Sequence, residues 1–184
     1  MPSYKDLYID LGLRTASEVL TSGIDIGSPI VYKPSAEIIG DEKIIGTSVD
    51  DRAGCAVLLE VARQINSRTA GPEINIVFTV QEEFNLRGAL PVAQKIKPEI
   101  AIQIDLLLAS DTPDMRDFGE IKLGEGPGIS VFSFHGRGTL NGVIPHPVLV
   151  KHFEQAASKE NINLQKSAHI GALTDLSYVQ LVED

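Results

Sequence analysis

The chain has 184 residues, 43% hydrophobic and 22% charged, with 16 Gly and 10 Pro, a composition that suits one globular domain, or one domain with part of another. A formal net charge of −9, with only 16 Lys and Arg scattered along the chain, argues against a nucleic-acid surface, and no apolar run approaches the ~20 residues that span a bilayer. One cysteine, Cys55, excludes an internal disulfide, and the first residues carry no apolar signal core, so a soluble, cytoplasmic protein is expected.

Taken in chain order, Leu7, Ile9 and Leu11 alternate with polar neighbours and predict a strand. Thr15 and Glu18 have capping-box spacing, and Gly23 is a helix stop, so a short helix is predicted between them. From Ser28 to Val49, Pro29, Pro34, Gly40 and Gly46 separate small β-branched clusters, which predicts short antiparallel strands. Cys55, Leu58, Leu59, Ala62 and Ile65 then recur at helical spacing and predict an amphipathic helix over 51–67. The continuous apolar runs Ile74–Val80 and Ile100–Ile104 read as strands buried on both faces, with a helix between them over 88–96. A loop-rich stretch spans 110–128. Beyond it, a strand is predicted over 129–134, a helix over 147–161 with Pro147 in its first turn, a strand over 164–169 and a helix over 175–182. The expected fold is therefore α/β: a mostly parallel sheet flanked by helices over 47–184, preceded by a small β-rich part over 1–46.

In such sheets, ligand chemistry sits outside the carboxyl ends of the strands. Asp50 and Asp51 follow the run 44–49, Glu82 and Glu83 follow the run 74–80, and Asp105 follows the run 100–104. A folded parallel sheet would bring these carboxylates to one edge, where like charges raise one another's pKa values unless a cation compensates them. Carboxylates are suitable ligands for zinc, cobalt, manganese or magnesium, and two such cations could polarise a carbonyl and deprotonate water. The competing structural reading is that Asp50 or Asp51 caps the helix that follows and that Glu82 and Glu83 lie in a solvated loop. A glycosidase pair is disfavoured, because neighbouring residues on extended chain point to opposite sides.

The stretches Val49-Asp-Asp-Arg-Ala-Gly-Cys-Ala-Val-Leu-Leu-Glu60, Phe78-Thr-Val-Gln-Glu-Glu83, Leu86-Arg-Gly-Ala89, Ile102-Gln-Ile-Asp105 and Ser110-Asp-Thr-Pro113 resemble the deblocking (tetrahedral) aminopeptidase, or "cellulase M", family of co-catalytic zinc metallopeptidases. Leu7-Tyr-Ile-Asp-Leu-Gly12 continues the likeness upstream, and it weakens after about Gly128. The resemblance implies a zinc-exopeptidase-like fold with part of an inserted dimerisation domain before Asp50. It implies two divalent metal ions, zinc first and cobalt or manganese as alternatives, with Asp50 bridging them and Glu83 and Asp105 each binding one. Glu82 would move the proton from the attacking water to the leaving amine, and Asp51 would hold its turn through an unusual peptide geometry. Peptides would be the substrates, and the chain would assemble as a homo-oligomer built from dimers, a dodecamer in full-length relatives.

The sequence also departs from the family. The family brings two histidines to its metals, whereas the four here, His135, His146, His152 and His169, lie outside the contexts that carry those ligands. His146 and His152 read as solvent-facing and His135 as packed or hydrogen-bonded; His169, before Gly171 and Thr174-Asp175, is nearest to the family's pattern. Phe84-Asn85 replaces a small hydrophobic residue and a glycine. The expectation is a truncated family member with a two-metal aminopeptidase site; the alternative is a catalytically dead remnant or assembly module with the same fold.

Overall fold

A computed structural model of the chain describes residues 3–40, 42–67, 70–136 and 141–182. The chain divides into two compact units, Met1–Thr47 and Ser48–Asp184.

In the first unit, the capping box is realised: the Thr15 hydroxyl accepts the Glu18 amide, and the Glu18 carboxylate accepts the Thr15 amide. It opens the short helix α1, Ala16–Thr21. The antiparallel strands β1, Ala36–Ile39, and β2, Lys43–Gly46, pair Ile38 with Ile44. Both strands are largely exposed, including their isoleucines. The strand expected over 7–11 does not form. Alternation is only a preference, and this segment lacks a ladder partner among the described residues.

The second unit begins with α2, Val49–Ile65, whose first turn is irregular: Asp50 and Asp51 have non-helical dihedrals and the peptide bond between them is cis. Next come α3, Ala89–Ile96, then β3, Gly128–Phe134, and β4, Gly142–Val143. The chain closes with α4, Pro147–Lys159, β5, Gln165–Ile170, and the short helix α5, Leu176–Val179. α4 carries Pro147 at its start, where a missing N–H is not felt. The sheet has the order β4-β3-β5, with β3 parallel to β5 and antiparallel to β4. Among the described residues, Leu86, Ala89, Ala93, Ile121 and Ala157 are the buried apolar residues, and Ser177 of α5 is fully buried. Small side chains on α3 permit close approach to α5.

The α/β class holds, and among the described residues the sheet of the second unit is short and mixed, its longer pairing (β3 with β5) parallel and its shorter one (β3 with β4) antiparallel. The runs 74–80 and 100–104, expected as buried strands, are assigned to no strand. Val80 is 70% exposed and Ile100 is 61% exposed. An apolar run specifies full burial only if other elements arrive to cover it, and here the described residues cover both runs only in part.

Candidate active site

The acidic site is built where α2 begins and where the runs 74–80 and 100–104 end. The Asp51 carboxylate accepts the Gly54 amide at 2.9 Å, so it caps the regular part of α2. Gly54 is buried, and a Cβ there would collide with the Asp51 carboxyl. The helix-cap reading of Asp51 is thus realised.

After Val80 the chain folds into tight turns. The Phe84 and Arg87 amides donate to the Gln81 carbonyl at 3.2 Å each, and the Leu86 amide donates to the Glu82 carbonyl at 2.8 Å. Gln81, Asn85 and Leu86 take positive φ values, and Asn85 at 71° occupies a conformation that asparagine tolerates better than most residues. Phe84 lies under the Arg87 guanidinium, 4.5 Å from ring centroid to Cζ, a cation–π contact on the surface. The turns leave Glu82 half-buried and Glu83 exposed.

Asp50, Asp51 and Asp105 each offer a carboxylate oxygen within 4.8 Å of the others. Glu83 lies outside this group and is exposed, although its charge is felt at Glu82. Burial, followed by repulsion from Asp105, Asp175, Glu83 and Asp50, pushes the Glu82 carboxyl up to about 7. Burial raises Asp105 to about 6; the Leu106 amide opposes this, and Asp51, Asp50 and Asp175 add to it. Asp51 is also raised, by burial first, against the pull of the Gly54 amide. Such elevation marks carboxylates gathered without compensating positive charge. A divalent cation fits this donor set: hard carboxylate oxygens, crowded together, beside a buried Asp175 Oδ1 with no hydrogen-bond partner.

No histidine among the described residues belongs to the three-carboxylate group. His146 is exposed and caps α4, its Nδ1 accepting the Val148 amide at 3.3 Å. His152 is exposed on α4, and the His135 amide donates to the Asn141 carbonyl at 3.0 Å. His169 is half-buried on β5 with Nδ1 3.2 Å from the Ser167 hydroxyl, and burial lowers its pKa.

Three residues that sequence reasoning left out surround the cluster. The Thr79 hydroxyl donates to Asp175 Oδ2 at 2.5 Å, and Gln103 Nε2 donates to Asp105 Oδ2 at 2.9 Å. Thr79 and Asp175 lie 96 residues apart, so no local pattern pairs them. The signal available in the sequence was the Thr174-Asp175 turn itself.

A profile of the M42 glutamyl aminopeptidase family matches residues 1–184. SgcX of Escherichia coli (strain K12) is 37% identical over 183 residues, covering 100% of this chain and 49% of SgcX. Aminopeptidase APDkam598 from the archaeon Desulfurococcus kamchatkensis superposes with a TM-score of 0.88 at 31% identity, over 99% of this chain and 49% of that one. PhTET1-12s, a dodecamer in its crystal, superposes with a TM-score of 0.73 at 26% identity, over 93% of this chain and 48% of that one. The chain thus spans about half the length of the proteins it matches.

Proposed function

This chain belongs to the M42 glutamyl aminopeptidase family, and from that premise we propose that it carries the carboxylate side of a metal-dependent aminopeptidase site that removes N-terminal residues from peptides. The convergence of Asp50, Asp51 and Asp105 beside Glu82 is the observation that carries the reading. Asp50 and Asp105 would hold divalent cations, zinc first among the candidates and cobalt or manganese next, with Asp50 as the proposed shared ligand. Glu83, exposed beside Glu82, is the further proposed ligand. When bound, the cations supply Lewis-acid polarisation of the scissile carbonyl and of water.

Glu82 is the proton carrier. It is half-buried beside the three-carboxylate group, and burial is the first cause that raises its carboxyl in the metal-free chain; a carboxylate so placed would take a proton from attacking water and return it to the leaving amine. Asp51 holds the turn at the start of α2 and so fixes Asp50 beside it. Residues 1–46 are proposed to be part of an inserted dimerisation domain and 47–184 part of the catalytic domain, in a homo-oligomer built from dimers; the similar PhTET1-12s is a dodecamer. A cytoplasmic location accompanies this reading; no helix among the described residues is long and apolar enough to cross a membrane.

The test is hydrolysis of leucyl- and glutamyl-anilides by the wild-type chain and by Glu82→Gln, each with zinc or cobalt. The substitution is expected to abolish turnover while divalent cations still bind; retained turnover would overturn the role of Glu82. A second reading, a catalytically dead remnant or assembly module, is favoured by one observation: the three-carboxylate group contains no histidine. Calorimetric titration separates the two, because two tight sites support the enzyme and one weak site or none supports the remnant.

A further inference from the structure

The runs 74–80 and 100–104 end in Glu82 and Asp105, yet neither is held by a strand ladder. Side-chain bonds to the turn that opens α5 tie both runs down instead. Thr79 donates to Asp175 at 2.5 Å, and the Leu176 amide donates to Gln103 Oε1 at 2.8 Å. The turn is itself well fixed: the Ser177 hydroxyl donates to the Thr174 carbonyl at 2.7 Å, and the Ser177 side chain is fully buried.

Gln103 uses both ends of its carboxamide. Its oxygen accepts from α5, and its nitrogen donates to Asp105 Oδ2 at 2.9 Å. The other Asp105 oxygen accepts the Leu106 amide at 2.7 Å. Each oxygen of the carboxylate therefore has its own donor, which sets the plane of the group and leaves the remaining lone pairs aimed in a fixed direction. A leucine at position 103 would do neither task. A glutamate could still accept from Leu176 but could not donate to Asp105.

We propose that Gln103 is a positioning residue that relays the N-terminal turn of α5 to the Asp105 carboxylate, orienting that carboxylate for a divalent cation. The cation role of Asp105 rests on the metallopeptidase reading; the relay itself does not.

The experiment compares wild type, Gln103→Leu and Gln103→Glu by amide hydrogen exchange at Leu176 and by cobalt titration followed in the visible spectrum, with far-ultraviolet circular dichroism as a folding control. Gln103→Leu is expected to accelerate Leu176 exchange about tenfold or more and to weaken cobalt binding by about 10- to 100-fold, the usual consequence of losing a ligand's hydrogen-bond partner. Gln103→Glu is expected to keep Leu176 protected while weakening cobalt binding at least as much, a split that a merely structural role would not produce. Unchanged Leu176 exchange in Gln103→Leu would overturn the relay, and wild-type cobalt affinity in both variants would overturn the orienting role. If the wild type binds no cobalt, the metal role of Asp105 fails and so does its orientation for a cation, while the exchange result still decides whether Gln103 links α5 to this run.

Discussion

Asp51 and Gly54 are bound to each other in two ways: the Asp51 carboxylate accepts the Gly54 amide at 2.9 Å, and it fills the space a Gly54 side chain would need. The pair couples helix initiation to the site, because Asp51 is at once the cap of α2 and a member of the three-carboxylate group.

Gly54→Ala is therefore expected to separate stability from binding. Alanine in place of a helical glycine gains up to about 1 kcal/mol, while displacement of the cap loses about 1 kcal/mol. These offset, so urea denaturation should show a change within about 1 kcal/mol. The carboxylate, pushed aside, should leave the group, and cobalt affinity should fall. A variant with wild-type affinity would show that Asp51 has no part in cation binding.

Gly88→Ala should behave differently. Its Cβ would lie 2.5 Å from the Val80 carbonyl oxygen and 2.7 Å from the Val80 nitrogen, and backbone cannot rotate away as a side chain does. The expected loss is about 1–3 kcal/mol, read as a lower urea midpoint. An unchanged midpoint would mean that the turn after Val80 is slack.

The metal-free protein, held in EDTA, should depend on pH in two opposing ways. Glu82 at about 7 and Asp105 at about 6 lie above their ordinary values of 4.5 and 3.8. The folded state therefore binds protons more tightly than the unfolded state does. Their contribution is complete below the ordinary carboxylate range and is lost as pH rises towards 7. Glu82→Gln should flatten the upper part of that fall. His169 has the opposite sign: burial lowers its pKa from 6.5, so its contribution is complete above 6.5 and is lost as pH falls below that value. His169→Asn should remove that component. Urea midpoints from pH 5 to 8 for the three proteins test both signs, and a wild-type curve that both variants reproduce would refute them.

Lys166 and Glu154 form an ion pair with both side chains substantially exposed. Lys166→Ala is expected to change stability by no more than about 1 kcal/mol, because exposed pairs gain little in water. A larger loss in urea denaturation would show that the pair ties β5 to α4 more firmly than its exposure suggests.

Local signals located most elements. The capping box at Thr15 and Glu18 opened α1, Pro147 stood at the start of α4, and the apolar spacing over 51–67 gave α2. The expectation failed where it required a distant partner. The runs 74–80 and 100–104 have strand composition, yet their exposed Val80 and Ile100 show that composition sets a preference while pairing and coverage decide the outcome.

The same division holds at the site. The sequence by itself determined which carboxylates follow apolar runs, because a strand-like stretch and the acid at its end are written within a few residues of each other: Asp50 and Asp51, Glu82 and Glu83, and Asp105. Only the tertiary structure decided that Asp50, Asp51 and Asp105 share one group while Glu83 stands outside it, that Asp175 adds its charge to Glu82 from far along the chain, and that Gln103 holds Asp105. Charge repulsion and side-chain hydrogen bonding act over a few ångströms of space, whatever the separation along the chain, so their partners are fixed only when the chain has folded.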